Sequence, residues 1–189
     1  GKLLMMDLQS KTPKTFLEYA NLMKIRLQEP VYQFIVDNHK ELQVALDRNR
    51  ENDYNFDFFS ASTMIRMYLS KATRDGPIVE TPQYLYMRKA VQFYYLTGVT
   101  QVIQAYEEMS NQYYTHATPT IFNAGMKKPQ QSSCFLMTVN DNLESIFDVL
   151  KDAALISKNK GGLGIDVSRI RHSEIDGIGM SQGILPMMK

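Results

Sequence analysis

Residues 132–167 constrain the fold more than any other stretch of the chain. Ser132 to Thr138 alternates small or polar with large apolar side chains and reads as a short strand. Asp141-Asn142 reads as the cap of a helix whose apolar positions are Leu143, Ile146, Phe147, Leu150 and Ala154. The cluster Gly161-Gly162-Leu163-Gly164 then reads as a turn into a second strand, Ile165-Asp166-Val167. Strand, helix and strand in this order make one βαβ crossover, near the minimum length that parallel strands need. One such unit cannot close a sheet or a barrel, because two strands leave their edges and faces open.

What precedes it is helical. Thr12-Pro13 predicts a helix start, and Phe16, Leu17, Ala20, Leu22, Met23 and Leu27 follow at roughly helical spacing. Asn38-His39-Lys40-Glu41 reads as a capping box ahead of Leu42, Ala45 and Leu46. Asn49 to Asn55 is a polar break, and Ser60 begins a helix carrying Ile65, Tyr68 and Leu69 that ends before Asp75-Gly76-Pro77. Thr81-Pro82-Gln83 repeats the start signal, with Leu85, Arg88, Val91 and Tyr95 behind it up to Gly98. Val102, Tyr106, Met109 and Tyr113 recur at i, i+4, i+7 and i+11, which predicts one more helix. His116 to Gln131, with two prolines and a glycine, reads as a loop. The eleven Tyr and twelve Met read as core and interface filler rather than as a cofactor pocket.

Composition closes off several function classes. Twenty-one Lys and Arg against twenty Asp and Glu leave a net charge of +1, which is no footprint for nucleic acid. No apolar run reaches the eighteen residues that span a bilayer, and the first residues do not resemble a signal peptide. The single cysteine cannot form an internal disulfide or a Cys-based zinc site, and His39, His116 and His172 lack metal-ligand spacing. A soluble, intracellular protein without a bound metal is the expectation.

A few residues can carry chemistry. Cys134 stands behind Ser132 and Ser133; read without context, a lone cysteine is a buried small hydrophobe, and no histidine is spaced to make a Cys–His nucleophile. Ala117-Thr118-Pro119-Thr120 reads either as a plain turn or as a phosphate-binding loop. The glycine cluster fits neither G-x-x-x-x-G-K-[ST] nor G-x-G-x-x-G. Its flanking Lys158, Lys160, Arg169 and Arg171 suit either a solvated basic rim or a polyphosphate.

Longer motifs add a resemblance. Ala117-Thr118-Pro119-Thr120-Ile121-Phe122-Asn123-Ala124-Gly125, then Pro129-Gln130-Gln131-Ser132-Ser133-Cys134-Phe135-Leu136, resemble the large subunit of class I ribonucleotide reductase. Leu155 to Ile165 continues the likeness in order, Pro82-Gln83-Tyr84-Leu85-Tyr86-Met87-Arg88 is similar to the helix ahead of it, and Tyr54 to Tyr68 is a weaker echo. The similarity runs from about Asn52 to Lys189, while the first fifty residues match poorly.

The resemblance implies a mainly α chain. A helical N-terminal domain over 1–116 would be followed, over 117–189, by the first βαβ unit of an incomplete ten-stranded α/β barrel. It implies that Cys134 is a catalytic thiol that protonates the departing 2′-hydroxyl of a ribonucleoside diphosphate and forms a disulfide with a second cysteine. Thr118 and Ser133 match contacts to the substrate's diphosphate and ribose, and Gly162 matches a glycine lying close to the substrate. Asp141, Asn142, Leu143, Lys158 and Arg171 match contacts to an allosteric effector, a deoxynucleoside triphosphate or ATP. The segment from His172 to Pro186 matches a loop that completes the effector site at a homodimer interface. It is a few residues shorter here, so Ile178 and Gly179 are not carried across.

The implied partners are a radical-generating small subunit holding the metal-radical centre, a thioredoxin-type reductant and a second large subunit. No nucleic acid or membrane partner is implied, and the compartment is the cytoplasm. No ATP-cone is recognisable ahead of Thr12. The chain holds one cysteine and lacks the family's Asn-x-Cys-x-Glu segment, so a thiyl residue and a disulfide partner must come from a longer chain or a second piece. By itself the polypeptide is expected not to reduce a ribonucleotide. The rival readings are a non-catalytic nucleotide-binding or regulatory module, a remnant, and a helical interaction domain that binds nothing.

Overall fold

The computed structural model describes residues 1–128, 130–158 and 161–171, together with 174–175, 177, 179–180 and 183. It divides into two compact units, Gly1–Gln131 and Ser132–Lys189.

The first unit is helical throughout. It opens with α1 (Lys2–Lys11), which buries Met5, Leu8 and Gln9. Thr12 ends this helix: it is extended and its N–H bonds to Leu8 O. The expected start at Thr12-Pro13 therefore moves to Thr15. Its side chain accepts from Glu18 N while the Glu18 carboxylate accepts from Thr15 N, a reciprocal box that opens α2 (Phe16–Met23). Pro13 lies in the connection, where its missing N–H breaks no helical bond.

The next helices are α3 (Glu29–Asp37) and α4 (His39–Asn49). The expected capping box at Asn38 does not form, because the Asn38 amide turns back and donates to Phe34 O at 2.9 Å. Leu42, Ala45 and Leu46 are nonetheless buried as expected. The polar break at 50–55 is a 3₁₀ turn, and Asp53 within it is fully buried. Asp57, three residues ahead of the expected Ser60, caps α5 (Phe58–Thr63) by accepting from Ser60 N, and the chain runs on as a π turn over Met64–Tyr68.

Two long helices complete the core. Thr81 caps α6 (Pro82–Tyr94) by accepting from Tyr84 N, with Pro82 at the first helical position, as predicted. In α7 (Val99–Ser110), Val102, Tyr106 and Met109 are buried, whereas Tyr113 is 79% exposed. Gln112 adopts φ +63°, which takes Tyr113 out of the helical stripe. The expected Tyr and Met filler is found in part: Tyr19, Tyr84, Tyr106, Met23, Met87, Met109 and Met126 share one core with Phe16, Leu27, Val31 and Ile35, while Met6, Met67, Tyr94 and Tyr113 are exposed.

The segment read as a loop, 116–131, contains a short helix, α8 (Thr118–Asn123), and belongs to this first unit. The division thus falls after Gln131, fifteen residues later than a boundary at 116. Hydrogen bonds explain the difference: Arg88 donates to Ala124 O and Ile121 O, Gln92 accepts from Gly125 N, and Gln28 N donates to Gly125 O. Gly125 has φ +77°, and a Cβ there would meet Arg88 Cγ at 3.1 Å, so the close approach requires glycine.

The second unit is the expected βαβ crossover. β1 (Cys134–Thr138) pairs in parallel with β2 (Gly162–Asp166), and α9 (Leu143–Lys158) connects them. The register sets Cys134 opposite Gly162 and Thr138 opposite Asp166. The glycines from Gly162 onward lie in the strand rather than in a turn before it. Ile146, Val149, Ala153 and Ile156 are the half-buried apolar positions of α9, while Leu143, Phe147, Leu150 and Leu155 are exposed. The expected face of Leu143, Ile146, Phe147, Leu150 and Ala154 therefore mixes two faces. A two-residue antiparallel pair, β3 (Glu174–Ile175) with β4 (Gly179–Met180), follows.

Candidate functional site

In the helical unit, α6 organises a buried charge network. Arg88 and Glu80 are both fully buried, with Nε to Oε1 at 2.8 Å, and Tyr19 donates to the same Oε1 at 2.6 Å. Burial pushes the Glu80 carboxyl up, but the Arg88 charge and the bonds from Arg88, Tyr19 and Ser70 N hold it below its ordinary value. Burial and the Glu80 charge raise the Tyr19 hydroxyl well above its own. Arg88 has donors left over, and these fix the carbonyls of Ile121 and Ala124. Thr120 Oγ1 donates to Gln131 O and Asn123 Nδ2 to Gln130 O, which holds the chain leading to β1. Helix α8 carries Thr118, whose hydroxyl lies 3.4 Å from Tyr68 Oη in a cleft also lined by Tyr86, Tyr114, Thr115 and His116.

In the second unit, the residues of interest sort to the two ends of the parallel pair. At the end where both strands begin, Cys134 is exposed and unbridged, and Ser133 Oγ donates to its sulfur at 3.6 Å. Gly162 N donates to Ser133 O at 2.8 Å, and a Cβ on Gly162 would lie 3.2 Å from that oxygen. The geometry thus sets a thiol, a hydroxyl and a side-chain-free stretch of strand side by side. Glycine here leaves room for a ligand to approach the backbone. Thr118 lies in the other unit.

At the end where both strands finish, Arg171 Nε meets Asp141 Oδ2 at 2.8 Å, and Arg169 donates to Asn140 Oδ1 at 2.8 Å. Asn142 caps α9 by accepting from Ser145 N at 2.8 Å, as the sequence predicts, and Leu143 opens the helix exposed. Ligands of open parallel sheets commonly bind beyond the carboxyl ends of the strands. Lys158 is the exception among the predicted effector residues. It stands at the last turn of α9, about 22 Å along the helix from Leu143, on the Cys134 side. The segment 172–186, expected to complete the effector site, lies mostly outside the described residues. Among them, no cluster of His, Cys, Asp and Glu is placed to hold a metal.

Two family models match in succession: the ribonucleotide reductase all-alpha domain over residues 54–129, and its barrel domain over residues 132–189. The chain belongs to the ribonucleotide reductase large-subunit family. A ribonucleoside-diphosphate reductase large chain of Cryptosporidium parvum is 41% identical over 167 residues, 86% of this chain and 20% of that protein. The large subunit of Arabidopsis thaliana is 39% identical over 188 residues, 95% of this chain and 22% of that one. That of Dictyostelium discoideum is 36% identical over 198 residues, covering 97% and 22%. The chain therefore spans about a fifth of the length of these relatives. The family-model match begins at residue 54, and the alignment with the Dictyostelium protein extends over 97% of the chain.

Ribonucleotide reductase motifs drew attention to Arg88 only as part of a matching string; its tie to the Thr118 segment was not legible. Two further residues were missed. Lys89 is fully buried, and neither its Nζ nor His116 Nδ1 has a hydrogen-bond partner among the described residues. The signal was there in Arg88-Lys89, two adjacent cations in a helix whose positions from 82 to 91 are nearly all buried.

Proposed function

We propose that this chain works as part of a ribonucleoside-diphosphate reductase large subunit. Cys134 supplies one of the two thiols that reduce the ribose. In the step this assigns to it, Cys134 gives its proton to the 2′-hydroxyl, which leaves as water. The carbon takes a hydrogen in its place, and Cys134 and a second cysteine are oxidised to a disulfide. The chain has one cysteine, so the second thiol comes from outside these 189 residues. A thioredoxin-type reductant restores the thiols, and a small subunit with a metal-radical centre starts the radical chemistry. The observation that carries this reading is the placement of the Cys134 thiol opposite Gly162 and beside Ser133 at one strand edge. Ser133 and Thr118 offer uncharged hydroxyl donors to the substrate's diphosphate and ribose.

The opposite edge is assigned to a deoxynucleoside triphosphate or ATP effector. Asp141 with Asn142 and Leu143 is assigned to the sugar end, and Arg171, which pairs with Asp141 in this structure, to the phosphates. The distance along α9 separates Lys158 from Asp141 of the same chain, yet an antiparallel pairing of two α9 helices brings Lys158 of a second copy to that site. The exposed Leu143, Phe147 and Leu150 suit such a homodimer contact. No helix among the described residues is long and apolar enough to cross a membrane, and the cytoplasm is the compartment this chemistry suits.

The test is turnover of a ribonucleoside diphosphate by this chain assembled with the remaining barrel segment, the small subunit and a dithiol reductant. Deoxyribonucleotide should form with the assembly, and neither with this chain alone nor with Cys134→Ser. Full turnover by Cys134→Ser overturns the reading.

A further inference from the structure

Thr118 has a side-chain partner that the proposed reductase chemistry leaves unexplained. Thr118 and Tyr68 both line the cleft of about 730 Å³ that runs between α5 with its π turn, α6 and the 112–121 segment. Tyr68 Oη lies 3.4 Å from Thr118 Oγ1. The Tyr68 ring stacks on Phe122, with 5.4 Å between centroids and 21° between planes. Thr118 and Phe122 are four residues apart on α8, so they share one face of that helix, and a single tyrosine spans both. Its ring lies on the C-terminal end of α8, and its hydroxyl reaches the N-terminal end.

An irregularity of the backbone puts Tyr68 there. The π turn over Met64–Tyr68 closes with Leu69 N donating to Met64 O at 3.0 Å, five residues back. An α-helix continuing from α5 would bond Leu69 N to Ile65 O instead. Turns of the wider kind gather at functional sites. Buried Arg88 holds the same short helix by donating to Ile121 O and Ala124 O. Helix α8 is thus fixed through its backbone by Arg88 and through its side chains by Tyr68.

Among the described residues, those lining the cleft include no lysine or arginine, and the carboxylate of Asp57 is engaged in capping α5 through Ser60 N. A phosphate at Thr118 therefore draws no such cation from this cleft, and the direction of the Thr118 hydroxyl proton decides whether it is bound. A phenol is the more acidic of the two groups and hence the stronger donor. With Tyr68 donating to Thr118, the Thr118 proton is left to point at an anionic oxygen, and bonds in such a chain strengthen one another. With Thr118 donating to Tyr68, that proton would be turned away from the ligand.

We propose that Tyr68 is a positioning residue for the substrate's diphosphate: it donates to Thr118 Oγ1 and so aims the Thr118 hydroxyl proton at a phosphate oxygen. The inference rests on the reading of Thr118 as a diphosphate contact and assigns the group that orients it. At 3.4 Å the pair is looser than an ordinary O–H···O bond, and a phosphate accepting from Thr118 draws the two hydroxyls together.

The experiment measures, by calorimetry, the binding of a ribonucleoside diphosphate to this chain assembled with the remaining barrel segment. The parent is compared with Tyr68→Phe, Thr118→Ala and the double variant. Tyr68→Phe keeps the stack on Phe122 and loses the hydroxyl. It should weaken the diphosphate about three- to tenfold and leave the Tm unchanged. Thr118→Ala should weaken it at least as much, and the double variant no further than Thr118→Ala alone, because Tyr68 acts through Thr118. In turnover with the small subunit and a dithiol, Tyr68→Phe should raise KM by the same factor and hold kcat within about twofold. Tyr68→Phe binding as tightly as the parent, while Thr118→Ala binds more weakly, overturns the proposal and leaves the reductase reading intact. Losses that add in the double variant overturn it as well, since Tyr68 then meets the ligand on its own account. An assembly that shows these binding losses yet makes no deoxyribonucleotide contradicts the reductase reading and supports the role of Tyr68. Thr118→Ala without effect removes the Thr118 contact and the proposal with it.

Discussion

The two units differ in how completely they enclose their own apolar surface. The helical unit buries Phe16, Tyr19, Leu27, Ile35, Leu85, Met87 and Tyr106, and closes a charge network of Arg88, Glu80 and Tyr19 within that core. In the βαβ unit, Val139 is the one buried hydrophobic residue among those described. Leu136 on its strand is 91% exposed, and α9 shows Leu143, Phe147 and Leu150 to solvent. The helical unit encloses a core of its own, although Leu3, Ile25, Phe58, Phe59 and Leu96 stay exposed, whereas the βαβ unit leaves its faces and edges largely uncovered. The contrast fits a member of a family whose relatives are about five times longer.

The largest effect that would sharpen this contrast comes from the network. Arg88→Met leaves the Glu80 carboxylate buried without its cation and should cost about 3–5 kcal/mol. Hydrogen exchange should speed up over 118–126 in the same variant, because Arg88 holds Ile121 O and Ala124 O. A matched pair of truncations comes next. Leu85→Ala, at a fully buried position, should lower denaturant stability by about 2–5 kcal/mol. Leu136→Ala should stay within about 0.5 kcal/mol in this chain. Equal losses would break the distinction between the two units.

A smaller effect is a pH dependence confined to the helical unit. Asp53 is buried and accepts from Gln9 Nε2 and Gln83 Nε2, and burial raises its carboxyl to about 6 against the lowering effect of those bonds. Between pH 4 and 6 the folded chain therefore holds a proton there that the unfolded chain has released. Stability must then fall as pH rises through that window, by on the order of 2–3 kcal/mol. Denaturant midpoints from pH 4 to 7 should show the fall, and Asp53→Asn should flatten it. The smallest effect lies at the exposed edge. Asp141→Ala should weaken a deoxynucleoside triphosphate about tenfold in calorimetry while leaving the denaturation midpoint of the helical unit unchanged.

The legible parts of the molecule were those whose signal is local. The α6 start at Thr81-Pro82, the α7 stripe and the alternating strand at 134–138 all follow from neighbouring residues. The hidden parts depend on distant partners. Helix α1 buries few side chains and carries no cap bond, so its sequence shows no clear stripe. Helix α8 has six residues, with Pro119 in its first turn and Gly125 just beyond its end, and it is fixed by Arg88 some thirty residues earlier. The two faces of α9 could not be told apart from the pattern alone, because both are apolar: Ile146, Val149, Ala153 and Ile156 on the half-buried one, Leu143, Phe147, Leu150 and Leu155 on the exposed one. Of the candidate site, Cys134, Ser133 and Gly162 were legible as a motif, and the register then brought them together. Nothing local set Lys158 at the far end of α9 from Asp141, apart from the length of the helix itself.

The central claim is that Cys134 is a redox-active thiol of a ribonucleotide reductase. The most direct measurement is the state of Cys134 after a single turnover by the assembled enzyme without external reductant, read by mass spectrometry of thiol-blocked peptides. Cys134 should be recovered in a disulfide in proportion to the deoxyribonucleotide formed. Product formation with Cys134 still present as a blocked free thiol would contradict the account.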